Sequence, residues 1–339
     1  MKYLILFICS ISLAGFRQSP KREQFSLGLI KKPVVHGVIQ PPPDKAFLQM
    51  ETKLPGKFHL RDKYKLSKVL NQMQCGSCVT FSVIRNLQDS YLIHGVDLPL
   101  LSKQFVMDCG KQGSCNGSWF EVTAEALLKL KGDATEAQYP YKARNQSCQG
   151  APSELVGQIK SYRLIDNSPK SIMTAIYSGY PVSVTVGAGG SFMNYDEGIF
   201  DDCQNIGTNH ETLLEGFNCE SSVDSEGNCK FDENGKLPSG VGHWNMVNSW
   251  GTGFASGEST PGEMRIKITS NSGRRCNNIA DEAGILDLGF PIPTPTPSPS
   301  PIPPAPVPWN IPSWVKWVAG VLAAIAAFLS GHFLWKNKQ

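Results

Sequence analysis

Asn71 to Ser82 reads NQMQCGSCVTFS, two cysteines three residues apart behind a glutamine. The pair admits three chemistries: a redox dithiol, half of a zinc site, or a nucleophile beside a structural cysteine. Zinc would need a second close ligand pair of the CxxC or HxxxH kind, and the sequence has none. A redox pair would use both cysteines, and the strand-rich lead-in of a thioredoxin-like fold is missing. From Val79 the apolar positions Val83, Ile84, Leu87 and Tyr91 recur at helical spacing, and Gly95 stands where a helix would stop. Cys78 therefore falls at a predicted helix N-terminus, where unpaired N–H groups and the helix dipole favour a thiolate. A buried structural cysteine would fit there too, so position alone does not decide.

Counting cysteines narrows the choice. Of ten, Cys9 lies in Met1-Lys2-YLILFICSISLAG, which reads as a secretory signal peptide over 1–15 because its apolar run is too short to span a bilayer. Nine remain, and an odd number in an oxidising compartment means four bridges and one free thiol. Cys219 and Cys229 flank the polar loop ESSVDSEGN and read as a small local disulfide.

At the far end, PIPTPTPSPSPIPPAPVP (Pro291 to Pro308) alternates proline with small residues, so an extended spacer of about 50 Å is expected, within a linker over 291–313. WVAGVLAAIAAFLSGHFLW (Trp317 to Trp335) carries no Asp, Glu, Lys or Arg; as a helix it measures about 28 Å. With Trp314, Trp317 and Trp335 at its borders, it reads as a transmembrane anchor over 314–335, and 336–339 as a short inner tail. Everything between signal and anchor is then extracytoplasmic, at a cell surface or in a periplasm or lumen. A formal charge of +3 without strong basic clustering argues against a nucleic-acid partner.

Other blocks extend the pattern: the lead-in LPGKFHLRDKYKLSKVLNQMQCGSC, then LSKQFVMDC, CNGS, YPYKARNQSC, GIFDDC, NHETLLEGF and HWNMVNSWGTGF. In this order, over about Leu54 to Phe290, the chain resembles the papain-like cysteine peptidases of the papain and cathepsin type. The resemblance implies an α+β fold of two lobes, one helical and one β-barrel-like, with the active-site cleft between them. It implies Cys78 as nucleophile, His210 as its base and acid, Asn248 to orient the imidazole, and Gln72 with the Cys78 N–H as oxyanion donors. Trp250 would shield the His210–Asn248 bond, and Gly117, Ser118, Glu211 and Trp250 would line the substrate cleft. The matched disulfides are Cys75–Cys115, Cys109–Cys148 and Cys203–Cys276, which with Cys219–Cys229 makes the four bridges. Cys75 and Cys78 then have separate jobs.

The match implies a peptidase domain over 52–290, a peptide or protein substrate, no cofactor or metal, and action as a monomer. Residues 16–51 are a short propeptide or N-terminal extension: an inhibitory strand through the cleft or a flexible arm fits equally. The chain departs from the family at Val79, where an aromatic residue usually follows the nucleophile, and at Ser118, where a glycine is usual and a side chain would narrow the groove. Glu211 after the catalytic His would bias the second specificity pocket toward Arg or Lys. His210 and Asn248 lie 38 positions apart because of an insertion carrying Cys219 and Cys229, a stapled surface loop with the further reading of a restriction on the cleft. No His-His pair signals carboxydipeptidase activity, so an endopeptidase is expected. Two rivals stand beside it: a non-catalytic peptide-binding module, and a transpeptidase using the same thioester.

Overall fold

One helix organises the molecule. In a computed structural model describing residues 25–30, 43–111, 114–202, 206–238, 241–268 and 276–290, α2 (Cys78–Ile93) is buried on nearly every face. Its apolar residues Val79, Val83, Ile84 and Leu87 enter a helical-lobe core with Val106, Phe120 and Leu127, contributed by α3 (Lys103–Cys109) and α4 (Phe120–Leu130). Its polar face meets a sheet. Ser82 donates to the Thr212 carbonyl at 2.9 Å, and Asn86 donates to the Pro181 carbonyl at 3.0 Å. A helix buried all round needs such partners, because an unpaired polar group away from water is costly.

The second lobe is an eight-stranded sheet. Its strands are β1 (Lys57–His59), β2 (Ser161–Leu164), β3 (Val182–Val186), β4 (Ile199–Phe200), β5 (His210–Asn218), β6 (His243–Val247), β7 (Glu263–Lys267) and β8 (Ala283–Asp287). The order is β2-β8-β3-β5-β6-β7-β4, with β1 paired to β5. Val182, Val184, Leu214, Phe217, Trp244 and Met246 fill its core, against α5 (Pro169–Tyr177), which Ser168 caps through the Ser171 N–H. The two-lobed α+β expectation holds.

A charged cluster joins the lobes: Arg85 of α2 pairs with Glu215 of β5 at 2.9 Å, and Arg61 bridges Glu215 and Glu263. His59, Glu215 and Glu263 have metal-ligand proximity, but the two guanidiniums already occupy both carboxylates.

Residues 43–50, assigned above to the N-terminal extension, are part of the sheet lobe. Phe47 of the short α1 (Ala46–Gln49) is buried against Tyr180, and Asp44 pairs with Arg163. The signal, linker and anchor expectations lie outside the described residues, among which no helix is long and apolar enough to cross a membrane.

Candidate active site

Cys75 is bridged to Cys115, and Cys109 to Cys148, while Cys78 is the free cysteine among the described residues. Cys219 is bridged to Cys229; Cys276 is also disulfide-bonded, and its expected partner Cys203 lies outside the described residues. The two opening cysteines thus do separate jobs: one staples the loop, the other starts α2. As the first helical residue Cys78 has a main-chain N–H with no intrahelical acceptor, a donor waiting for an oxygen. Val79 turns into the helical-lobe core at 0% exposure, filling the position with packing.

Across the cleft, His210 opens β5 and is fully buried. Its Nε2 lies 2.8 Å from Asn248 Oδ1, just past the end of β6. The Ser249 N–H also donates to that oxygen, which fixes the amide orientation. The imidazole must therefore donate from Nε2, leaving Nδ1 bare in the neutral ring, and Nδ1 has no partner among the described residues. Trp250 stacks on the imidazole with centroids 4.7 Å apart. Gln72, buried, accepts from the Ser249 hydroxyl at 2.5 Å through Oε1. That contact aims Nε2 the other way, toward the cleft. Ser249, which ties Asn248 to Gln72, was missed in the sequence; its place inside NSW was the available signal.

Residues 25–30, FSLGLI, lie across this site. The Ser26 carbonyl accepts from Gln72 Nε2 at 3.0 Å and from Trp250 Nε1 at 3.2 Å. Beyond it the Gly28 N–H points at the Cys78 sulfur, and the Gly28 carbonyl accepts from the Ser118 N–H at 2.9 Å. Leu29 N–H donates to the Asn209 carbonyl and Ile30 N–H to the Ser118 carbonyl, each at 3.2 Å. Phe25 stacks on Trp250 at 4.4 Å, on the opposite side of Cys78 from Leu29 and Ile30. Glycines make room for the crossing: a Cβ on Gly28 would lie 1.9 Å from the Gly76 carbonyl oxygen, and one on Gly117 would lie 2.6 Å from Ile30. Of the two readings of the N-terminal extension, the strand through the cleft is the observed one.

Cys78 and His210 are both fully buried, and burial governs their ionisation. Burial, reinforced by the nearby Glu211 carboxylate, pushes the Cys78 thiol up to about 12. Burial also pulls His210 down to about 4 against the favourable Asn248 bond. Both shifts disfavour the charged form, thiolate and imidazolium alike, because desolvation penalises charge on each group.

The remaining expected residues differ in outcome. Gly117 and Ser118 do line the groove, but Ser118 does so with its backbone: its hydroxyl is buried 3.2 Å from Thr123 Oγ1, so it does not narrow the groove as expected. Glu211 is 1% exposed, paired with Thr185 across β3 and β5. It also lines a small pocket of about 20 Å³ with Phe81, Gln88, Lys103 and Asn248. The Cys219–Cys229 loop does not restrict the cleft. Cys219 follows the far end of β5 from His210, and the loop is tied to the domain start by Gly56 N–H to the Gly227 carbonyl and Cys229 N–H to the Leu54 carbonyl.

A family model described as papain family cysteine protease matches residues 54–283. The viral cathepsin of Autographa californica nuclear polyhedrosis virus is 28% identical over 250 residues, 73% of this chain and 68% of that protein. Ananain of Ananas comosus is 30% identical over 209 residues, 61% of this chain and 55% of its own length. Among solved structures, the bromelain protease of Ananas comosus in complex with the E64 inhibitor aligns over 69% of this chain and 100% of that one, with 30% identity and a TM-score of 0.56. A recombinant stem bromelain precursor covers 78% of each chain at 28% identity and a TM-score of 0.61.

Proposed function

This chain belongs to the papain family of cysteine proteases and is a cysteine-type peptidase, and from that premise we propose that Cys78, His210, Asn248 and Gln72 hydrolyse peptide bonds through a thioester. His210 Nδ1 takes the thiol proton as sulfur attacks the carbonyl carbon, and a C–S bond forms. The resulting oxyanion is met by Gln72 Nε2 and the Cys78 N–H, each such donor contributing ~3 kcal/mol. Collapse breaks the C–N bond, and the Nδ1 proton leaves with the amine. Water then gives a proton to Nδ1 and its oxygen to the acyl carbon; the C–S bond breaks and the proton returns to sulfur. Asn248 holds the ring in the one tautomer that permits this shuttle.

The observation that carries the reading is the strap itself. Six residues of this chain occupy the cleft, with neighbours on both sides of Cys78 and a carbonyl already on the Gln72 donor. A groove that accepts a chain passing through from either side suits an endopeptidase. The strap fills the cleft with its Gly28 N–H on the sulfur, so residues 25–30 act as a built-in inhibitor.

Location completes the proposal. The disulfides call for an oxidising, extracytoplasmic setting, and the apolar run 317–335 tethers the enzyme on its proline-rich stalk. The test is to incubate the full-length chain at pH 5 with an epoxysuccinyl inhibitor and map the adduct. One adduct on Cys78 with loss of peptide cleavage, and neither in Cys78→Ala, is expected. A Cys78 found bridged to Cys75, or cleavage surviving in Cys78→Ala, overturns the assignment.

A further inference from the structure

Tyr141 has no role in the scheme above, yet its hydroxyl sits between the two ends of the loop that carries both oxyanion donors. It donates to the Gln72 main-chain carbonyl at 2.9 Å and meets the Ser77 hydroxyl at 2.7 Å. Gln72 brings one donor on its own side chain, and Ser77 immediately precedes the other, the Cys78 N–H. A carbonyl oxygen has no proton to give, so the Tyr141 O–H is spent on Gln72 and the Ser77 O–H must donate to Tyr141. The bonds thus run in one direction, from Ser77 through Tyr141 to Gln72.

A second observation shows what this costs locally. Ser77 is the N-cap of α2, a position where serine ordinarily accepts from a first-turn N–H, and here it makes no capping bond. Its hydroxyl is committed to Tyr141 instead, which leaves the helix start open toward the sulfur, where the Val79 N–H points. Tyr141 is itself held firmly. Its ring meets Phe81, one turn along α2 from Cys78, edge-on at 4.9 Å, and its N–H donates to Glu136 Oε1 at 2.8 Å. Burial pushes the phenol up to about 12, so it remains a protonated donor.

We propose that Tyr141 is a positioning residue for the oxyanion hole. Its hydroxyl fixes the separation of Gln72 and Ser77 so that Gln72 Nε2 and the Cys78 N–H converge on a single oxygen. The inference rests on the peptidase reading and adds a residue that acts without touching substrate.

The experiment is a double-mutant cycle in the full-length chain carrying Gly28→Ala, so that the strap does not mask turnover. Tyr141→Phe keeps the ring on Phe81 and removes only the hydroxyl. Its kcat is expected to fall roughly tenfold, the effect of a misplaced donor, with KM within about twofold. In a Gln72→Ala background, where one donor is already gone, the same change is expected to cost less than about twofold. An equal loss in both backgrounds, a raised KM with kcat intact, or no loss overturns the proposal. Ser77→Ala removes the other end of the tie and should show the same coupling to Gln72→Ala; it serves where Tyr141→Phe does not fold, and additivity there also overturns the idea. Failure of the peptidase reading looks different: the Gly28→Ala chain with Tyr141 intact cleaves nothing and takes no label on Cys78, which removes this proposal with it.

Discussion

The strap at residues 25–30 and the loop from Cys219 to Cys229 lie at opposite ends of one strand. β5 begins at His210, where the strap crosses, and ends at Asn218, beside the stapled loop. At about 3.3 Å per residue that strand separates them by roughly 27 Å. The loop is held by a covalent bridge and by hydrogen bonds to residues 54–56, all away from the reacting atoms. The strap is held by hydrogen bonds of its main chain to Gln72, Ser118 and Asn209 and by a ring stack on Trp250, all around Cys78 and His210. A covalent fastening suits an element that only stabilises, whereas a control element must be able to leave.

The sharpest way to break this comparison is Gly28→Ala. Both atoms in the 1.9 Å clash are backbone or fixed to it, so neither side can yield. Expulsion of the strap should raise the rate of Cys78 labelling in the full-length chain about 100-fold, the equivalent of two or three hydrogen bonds at ~1 kcal/mol each. An unchanged rate means that the crossing does not control access.

The same comparison predicts a pH dependence for the strap and none for the loop. With the strap bound, His210 is held down to about 4; exposed, it should return toward an ordinary value near 6.5. The strap-free state therefore binds more protons between these limits. The hold of the strap is complete above about pH 6.5 and weakens as pH falls toward 4, by at most about tenfold per unit. Labelling of the native chain should accelerate on acidification relative to Gly28→Ala, whose ratio to wild type shrinks. A ratio that stays constant from pH 7 to 4.5 contradicts the linkage.

At the other end, replacing Cys219 and Cys229 together by serine should leave kcat/KM within about twofold while lowering stability by about 2 kcal/mol, the loop-closure scale for a short bridge. Urea unfolding reads the second number. A large loss of activity at unchanged stability would give the loop a role at the cleft after all.

Why one of these elements was visible in the sequence and the other was not is a matter of what sequence patterns encode. Cys78 at a helix start followed from apolar spacing, and the polar loop between Cys219 and Cys229 anticipated their bridge. His210 and Asn248 were legible because a turn-flanked His and a strand-end Asn sit in ordered motifs. The strap has no such signal: FSLGLI carries no periodicity, and its place is set by the narrow passage between Gly76 and Gly117. Ser249 and Tyr141 meet Gln72 through hydrogen bonds that no spacing rule reports. Val79 and Ser118 read as damage to the site because their identities are unusual, yet both side chains turn inward, and a direction is not written in a residue name.

The smallest expected effect tests how the strap's hold is divided. Phe25 lies nearly parallel to Trp250, 5° off at 4.4 Å, and meets Phe254 edge-on at 5.9 Å. Trp250 is thus sandwiched between the strap and His210, so Phe25 both grips the strap and helps to dry the imidazole. Phe25→Ala removes an aromatic pair of about 1 kcal/mol beyond its buried area. Cys78 labelling should rise about fivefold, well short of Gly28→Ala, because the main-chain bonds of Gly28, Leu29 and Ile30 remain. Combining the two substitutions should then add little, since an expelled strap has no ring contact left to lose. If Phe25→Ala instead matches Gly28→Ala, the ring stack is the principal latch and the main-chain bonds merely follow it.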